Sequence, residues 1–545
     1  MAYITPDSIV RILKDVPLDN TYKDTISFQS ATAQSNYFAG KTKYNNVQYT
    51  YLRKENKIRV EILADNLYDC NYIMFQNKAF GSKWFYAFIT NVEYINNVTS
   101  AISYEIDEMQ TWYFNYELKP SFVEREHSST DEIGDNLIPE TLETGEFLFQ
   151  DLGVKGMPTN WVPVICATVN EDYSDATPGL YNGIYQGCKM LYLEGINATS
   201  SWLEDLVAEG KSDAVITMFM FPKPFIPTSG SQNEPISIPF SVDKHITSID
   251  GYTPKNKKLF TYPYNFLYVT DNEGKSAEYR YEYFTEANCR FDARALYAPK
   301  PEACIIPQNY KNVENNYNER MTLGDFPMCS WQTDPFMAWL AMNATQLGTV
   351  AAAGVGQILA GVKPYESYGG TTVLPSSGGT ELAVPSTGRF DELQSYNKGV
   401  GIGKSAVSGA ATIVGLMAKA ADTYILPPRL NGANTGSMNM AIGEKGFHFY
   451  YAYIKNDFAR MIDGFWTMFG YPCRRVKVPA RSVRPHWTYT KTVDVNIVGS
   501  IPAGSMAIIK SCYNRGITFW KNGDEVGNYN LDNSLGGGDN GEKQA

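Results

Sequence analysis

Few residues in this sequence have the types and spacing that chemistry would need. There are four histidines, His127, His245, His448 and His486, and eight cysteines, Cys70, Cys166, Cys188, Cys289, Cys304, Cys329, Cys473 and Cys512. A zinc site would draw on such residues at short, patterned spacing, yet neither H-E-x-x-H nor C-x-x-C occurs. The cysteines have no regular spacing and are expected to be reduced thiols, buried as small hydrophobes. The serine motifs G-x-S-x-G and S-x-x-K are absent as well. "GVGIGKS" at 399–405 has the glycines and lysine of a phosphate loop. It lacks the G-x-x-x-x-G-K-[ST] spacing and no buried strand precedes it, so nucleotide binding is not expected. No catalytic residue, metal or cofactor is therefore assigned.

Charge narrows the field further. Asp and Glu number 58 against 47 Lys and Arg, a net charge of -11. Duplex binding relies on cations that neutralise phosphates, so this surface is not expected to grip nucleic acid, although it would suit a channel that DNA must traverse without sticking. The acidic runs "EREH" at 124–127 and "YEIDE" at 104–108 are expected to form strand-face salt bridges. A glycosidase-like carboxylate pair is made only in three dimensions and stays open. The cluster Arg474, Arg475, Lys477, Arg481 and Arg484 reads either as a phosphate-contacting ring or as a subunit-interface or solvated loop.

The elements that would position these residues are mostly strands. Tyrosine is abundant, with 38 of 545 residues, and aromatics make up 14% of the chain, a bias towards strands and broad contact surfaces. In 1–127, Ile58, Val60 and Ile62 alternate with Arg59 and Glu61, after a hairpin turn at "KEN". Two strands flank a turn at Asn77–Lys83, and Ile102, Tyr104 and Ile106 alternate with polar neighbours. The pattern predicts a barrel or sandwich with one wet face. Residues 128–333 are mixed. An acidic linker at 128–147 precedes buried strands "WVPVICATV" and "AVITMFMFP", with a short helix "SWLEDLVAEG" capped by Ser201 between them. Pro-rich turns at 222–239 and Tyr-rich strands to about 285 follow. A helix opens at "TDPFMAWLAMNATQL", capped by Thr333 or Asp334 with Pro335 in first position. Near the end, "FHFYYAYI" predicts a strand and 456–469 a helix. Asn456 would cap that helix, Phe458, Met461, Ile462, Phe465 and Phe469 would line one face, and Gly470 would stop it. A strand at 493–498, a helix at 503–515 ending at Gly516, the strand "ITFW" and a disordered tail from 533 complete the chain. The fold class is mainly β with some α, barrel- or sandwich-like, plus a glycine-rich apolar, partly helical insertion.

That insertion, 334–425, is the most unusual feature. No charge interrupts the run from Pro335 to Val362, and a second apolar run spans Gly399 to Ala421. Residues 363–398, rich in Gly, Ser, Thr and Pro, link them flexibly. Gly348, Ala352, Gly356 and Ala360 fall every fourth residue, as do Gly399, Gly403, Ala411 and Gly415 around Val407, so each run would form a helix with a ridge of small side chains. One reading is a pair of tightly packed helices in a soluble core. The other is a marginal transmembrane pair. Each interior glycine costs roughly 0.8–1.0 kcal/mol in a water-exposed helix. A bilayer enforces the helix, and about 20 apolar residues span it. Lys404 and Lys419 would then snorkel.

Several long strings resemble the distal tail knob proteins of phi29-like short-tailed bacteriophages: "VRILKDVPLDNTYKDT", "NYIMFQNKAFGSKWFYAFITNVEY", "EIDEMQTWYFNYELKPSFVEREH" and "NRGITFWKNGDEVGNYNLDN". The likeness covers roughly 1–127 and 445–530. It implies a structural virion protein, not an enzyme, that forms a homo-oligomer, a hexameric tube at the distal end of the tail. It further implies assembly in the host cytoplasm with other tail proteins: the lower collar or tail tube and a separate tip peptidoglycan hydrolase. The wall would come from 1–127 and 426–532, a mixed middle or outer part from 128–333, and a disordered tail from 533–545. The apolar loops would plug the lumen, then enter the host cell membrane as a channel for genomic DNA, which passes without sequence-specific binding. The residues that would enter the membrane are Gly348, Ala352, Gly354, Gly356, Ile358, Leu359, Ala360, Gly361, Gly399, Gly403, Val407, Ala411, Ile413, Val414, Gly415 and Leu416. The competing classes are a tail-tip cell-wall hydrolase, which a carboxylate pair in a cleft would support, and a receptor-binding adhesin, which an exposed aromatic groove in 128–333 would support.

Overall fold

Alternating apolar residues in the first hundred positions build a seven-stranded antiparallel sheet. Its order is Thr42–Asn45, Ser8–Lys14, Cys70–Asn77, Trp84–Asn96, Thr99–Ile106, Lys57–Val60, Tyr49–Leu52. The hairpins expected around "KEN" and around Asn77–Lys83 are both present. The computed structural model describes residues 8–330, 372–374, 382–384 and 445–535, apart from 46–48, 53–54, 79–80, 159, 169–179, 182–183, 186–187, 193–201, 203–204, 206–208, 210, 212–213, 228–235, 325 and 327. The described chain is mainly β with some α, as expected. It divides into two compact units: 1–147 with 246–264 and 454–545, and 148–245 with 265–453. Residues 246–264, inside the stretch expected to be the middle domain, thus belong to the first unit.

In the first unit the large sheet is covered on both sides, not one. Tyr72, Met74, Tyr86 and Phe88 face one apolar cluster, and Ile73, Phe75 and Ala87 face another. The expected wet face persists only towards the margin, where Arg59 is exposed between buried Ile58 and Val60. The added cover comes from helices. Phe38, on the helix Ala31–Gly40, stacks on Tyr72 at 5.2 Å and lies 4.7 Å from Tyr86. The helix Ala503–Arg515 contributes Ile509, Cys512 and Tyr513 and ends at Gly516, as its sequence predicts.

A second sheet joins the two ends of the chain. Its order is Asp24–Ile26, Ile517–Trp520, Trp487–Val493, Ser121–Glu126, Tyr471–Lys477. Asp24–Ile26 runs parallel to Ile517–Trp520, and the Trp520 indole donates to Asp24 at 2.8 Å. The strand expected at 493–498 is two elements. Trp487–Val493 ends where Asp494 takes a positive φ of 50°, and Ile497–Gly499 pairs instead with Tyr116–Leu118. Asn533, expected to open a disordered tail, is buried and accepts from the backbone of His486 at 3.1 Å and Trp487 at 3.2 Å, and the rest of that tail from 536 lies outside the described residues.

The helix Asn456–Phe469 forms where expected, with two corrections. Asn456 is its first residue, not its cap, and its N–H is taken by Asp250 at 3.1 Å. Its buried face is Ala459, Ile462, Asp463 and Trp466, while Met461 is exposed. Hydrophobicity alone ranked Met461 and Phe465 above Asp463, whose burial depends on partners far away in sequence. The stretch expected as a linker at 128–147 lacks regular structure up to 146 yet is not a free linker, because Asp131 is buried and Glu140 is held in the interior.

The second unit contains three main sheets. One orders Phe147–Lys155, Phe447–Ile454, Asn265–Thr270, Ser276–Tyr279, and another Lys189–Tyr192, Trp161–Ala167, Val215–Pro222, Met328–Ser330. The third orders Ser237–Asp243, Asn288–Leu296, Glu302–Tyr310, Val313–Asn315, with Met321–Leu323 also paired to Glu302–Tyr310. The strands at 288–310 lie beyond the predicted limit of about 285. Their signal was available: buried Cys289, Phe291, Ala293 and Ala295 alternate with Arg290, Asp292 and Arg294. The helices expected from Thr333 onward lie outside the described residues. Most of the segment 201–210 does too, although its Trp202 is buried.

Gly470 provides a test of the first unit's packing. Its φ of 66° and ψ of −158° are nearly exclusive to glycine, and a Cβ there would meet the Glu126 carbonyl oxygen at 2.2 Å. Gly470→Ala should destabilise the unit by on the order of 3 kcal/mol. Urea unfolding followed by tryptophan fluorescence would read this as an earlier transition.

Candidate functional site

The segments carrying the sequence-predicted membrane residues, Gly348 to Gly361 and Gly399 to Leu416, lie outside the described residues. Between them, Thr372–Leu374 and Leu382–Val384 pair as an antiparallel two-stranded ribbon, so the linker expected to be featureless carries one short ordered element. Among the described residues no helix is long and apolar enough to cross a membrane.

The described root of the insertion is firmly built. Before the insertion the last described strand is Met328–Ser330, paired to Val215–Pro222, and after it the described chain resumes at Lys445 just before Phe447–Ile454. The Lys445 ammonium is buried. It donates to both Glu273 carboxylate oxygens at 2.7 Å and to the Gly324 carbonyl at 2.8 Å. Gly446 follows, and a side chain there would meet Val154 at 2.4 Å. The re-entry point is thus held by charge and by close backbone approach.

The acidic and basic clusters picked out from the sequence meet in the first unit, where they form a buried ionic network and not a cleft. Arg125 of "EREH" pairs with Glu140, which also accepts from Lys258 at 2.7 Å and from the Trp466 indole at 2.9 Å. Lys258 additionally donates to Ile138 O at 2.9 Å and lies 5.2 Å from the Trp466 ring centre. Burial holds its ammonium below the ordinary lysine value even with Glu140 beside it. Glu126 pairs with Lys477 and accepts from Ala480 N at 3.1 Å. Asp463 gathers the 246–264 segment, accepting from Tyr252 Oη at 2.6 Å, Lys255 N at 2.8 Å and Asn256 N at 3.0 Å. Asp131 accepts from Tyr471 Oη at 2.5 Å.

The basic cluster divides. Arg484 is buried facing Asp131 and Tyr471, and Arg481 lies 5.1 Å over the Tyr113 ring. Arg474 and Arg475 are exposed on the edge strand Tyr471–Lys477. Sequence reasoning missed Glu140, Lys258 and Asp463. Only Asp463 left a signal, as a carboxylate in register with the buried helix positions 459, 462 and 466.

Two titratable groups stand apart. His127 Nδ1 accepts from Tyr489 N at 2.7 Å, and Nε2 bonds the Thr467 carbonyl at 3.1 Å, which fixes a neutral ring protonated on Nε2. Burial, together with Arg484, pushes its pKa down to about 3. Asp107 of "YEIDE" is buried at the start of the short helix Glu108–Thr111. It accepts from Gln110 N at 3.0 Å and Tyr72 Oη at 2.8 Å. Burial outweighs those bonds and lifts its carboxyl to about 7. Among the described residues, no group of three or more His, Cys, Asp or Glu is placed to hold a metal. An open depression on the second unit is lined by Ser241, Glu286 and Arg290, and its cation is already paired, Arg290 to Glu286 at 3.1 Å. What these constellations do chemically is dock distant segments onto one another.

Comparison with known proteins agrees with a scaffold. Residues 6–117 match the N-terminus of the caudoviral major tail protein. The fold resembles the tail knob protein gp12 of bacteriophage C1, with a TM-score of 0.56 over 96% of this chain and 98% of that one at 14% identity. The first match covers the N-terminal part alone, and the second is a likeness of fold. Residues 229–534, more than half of the chain, match the C-terminal domain of the tail knob protein gp9 of Bacillus phage phi29. The chain belongs to the family of that knob protein. It is 25% identical to the phi29 protein itself and 23% identical to its counterpart in Bacillus phage B103, in each case over 98% of this chain and 100% of the relative. Its place is the virion tail, among other tail proteins.

Two measurements test the network. Glu140→Ala would leave Arg125 and Lys258 without their shared carboxylate and should cost about 3–5 kcal/mol in urea unfolding. Glu146→Ala, which breaks an exposed pair with Lys455, should leave the transition where it was. The pH profile follows from the two shifted groups. Between their folded and ordinary values, 3 and 6.5, the unfolded chain binds a proton at His127 that the folded chain refuses, so stability falls as pH drops through that window. Asp107 acts oppositely. Between 3.8 and 7 the folded chain keeps a proton that the unfolded one has lost, so its contribution fades as pH rises to 7. Asp107→Asn should therefore gain roughly 2 kcal/mol relative to wild type on going from pH 5 to pH 8. A stability difference that is flat with pH would refute that assignment.

Proposed function

We propose that the chain assembles as a hexameric tube forming the distal knob of a short phage tail, with the first unit building its wall. In this reading the apolar segments 335–362 and 399–421 close the lumen before infection. On infection they enter the host cell membrane and form the channel for genome ejection. The middle part, expected as 128–333 and here taken as 148–245 with 265–333, forms the outer or distal part of the knob. The observation that carries this reading is the contrast at the insertion's root. The buried Lys445–Glu273 pair and the close packing at Gly446 hold a segment whose first 28 residues from Pro335 lack any charge, in a chain with a net charge of -11. A long charge-free segment is stored most cheaply against copies of itself, since monomers seldom expose large apolar patches. A ring closed by cyclic symmetry brings such copies together and removes open sheet edges. The net acidity supports passage of DNA without adhesion. Family membership supports a structural role, with cell-wall digestion left to a separate tail component.

Gly356→Asp and Val414→Asp, made separately, test the channel. An ionised Asp near the bilayer centre costs roughly 2.5–3.5 kcal/mol. Six copies would raise the opposition to on the order of 15–20 kcal/mol. Both variants should assemble and adsorb normally yet fail to release liposome contents or genome, and removal of 349–421 should do the same. Normal leakage and infectivity in all three would show that the segments are ordinary packing helices.

A further inference from the structure

The pair Cys166 and Cys188 in the second unit has no part in the network or in the proposed channel. Cys166 lies on Trp161–Ala167, which pairs antiparallel with the edge strand Lys189–Tyr192 in the register Cys166 to Met190. Cys188 comes two residues before Met190. It therefore precedes the strand directly, and continuing the register puts it beside the end of Trp161–Ala167 that carries Cys166. The two thiols do meet, in a hydrogen bond to one another. Both are free and both are buried, at 0% and 6% exposure.

We propose that Cys166 and Cys188 are a modification site, an intrachain disulfide that forms after the virion has left the reducing cytoplasm in which it is assembled. Virion surfaces, unlike cytosol, are oxidising surroundings in which disulfides persist. The oxidant is dioxygen, small enough to reach a site that excludes larger reagents. Two S–H bonds break and one S–S bond forms, and the two electrons and two protons released reduce dioxygen to hydrogen peroxide. The bond closes 167–187 into a ring and ties the short edge strand Lys189–Tyr192 to its only paired neighbour among the described residues.

Differential alkylation of the wild-type protein tests this. Protein from freshly lysed host cells and protein from virions held in aerated buffer would be denatured in iodoacetamide, then reduced and labelled with N-ethylmaleimide. Peptide mass spectrometry would locate each label. In the cytoplasmic sample both cysteines should carry the first label. In virions both should carry the second, and an unreduced digest should contain the Cys166 and Cys188 peptides linked with the loss of two hydrogens. Cys70, Cys289 and Cys512 serve as internal controls and should keep the first label throughout. In Cys188→Ser virions Cys166 should revert to the first label. Reduction should lower the unfolding temperature of wild-type virion protein and leave that of Cys188→Ser unmoved. First label on both cysteines in aerated virions, or a bond from either to a different cysteine, would overturn the proposal.

Discussion

The carboxylate of Glu140 is the contact on which the first unit depends. It sits in the interior and joins Arg125 from one strand, Lys258 from a short helical turn and Trp466 from a helix, three elements far apart along the chain. A buried charge is costly unless it is paired and fully hydrogen-bonded. Two cations and an indole on one carboxylate meet that demand, and each becomes costly if the others move away. Apolar side chains could fill the same space with many nearly equivalent packings. An ionic junction allows few, a use of buried charge seen where specificity matters more than raw stability. Asp463 repeats the device one helical turn earlier, holding Tyr252, Lys255 and Asn256. Together the two carboxylates explain how 246–264 can leave its sequence neighbours and pack with the ends of the chain.

The same junctions mark the limit of what the sequence revealed. Strand periodicity exposed the hairpins of the first hundred residues, because alternation is a local signal and neighbouring strands there are also neighbours in sequence. The glycines at 470 and 516 marked helix ends correctly, since each has a positive φ that other residues resist. Asp463, by contrast, looked like a polar flaw on a helix whose apolar face was then drawn through Met461 and Phe465. Its partners lie about 200 residues upstream, where no periodicity points to them. The acidic stretch 128–147 looked like a linker for the same reason, as its composition is polar and its buried residues answer to distant cations. The family was legible because long strings such as "EIDEMQTWYFNYELKPSFVEREH" carry several of these long-range partners at once.

The two units handle charge differently. In the first, carboxylates and cations are dispersed through the interior, and the shifted groups Asp107 and His127 set opposing pH slopes. The second has a ring cluster of its own. Phe240, Phe291 and Phe449 pack within 5.7 Å of one another between centroids, and Tyr279, Phe284 and Tyr310 extend the cluster. Edge-to-face ring pairs add roughly 0.5–1.5 kcal/mol each beyond area burial. Beside that cluster the Lys445–Glu273 pair is a deeply buried clamp at the point where the described chain resumes after the insertion.

The parallel pairing of Asp24–Ile26 with Ile517–Trp520 sets a schedule for the chain's synthesis. The seven-stranded sheet is complete once residue 106 has been made. One of its faces nonetheless lacks Ile509, Cys512, Tyr513 and Phe519, which come from the last helix and strand. At bacterial translation speeds of 5–20 residues per second, the roughly 400 intervening residues take on the order of tens of seconds to appear. For that time Tyr72, Met74, Tyr86 and Phe88 are covered only by the N-terminal members of the cluster, among them Leu13, Tyr22, Phe38 and Met109. An N-terminal fragment ending near residue 130 would lack the C-terminal share of that cover permanently, and the first sheet would keep part of its apolar face open to water.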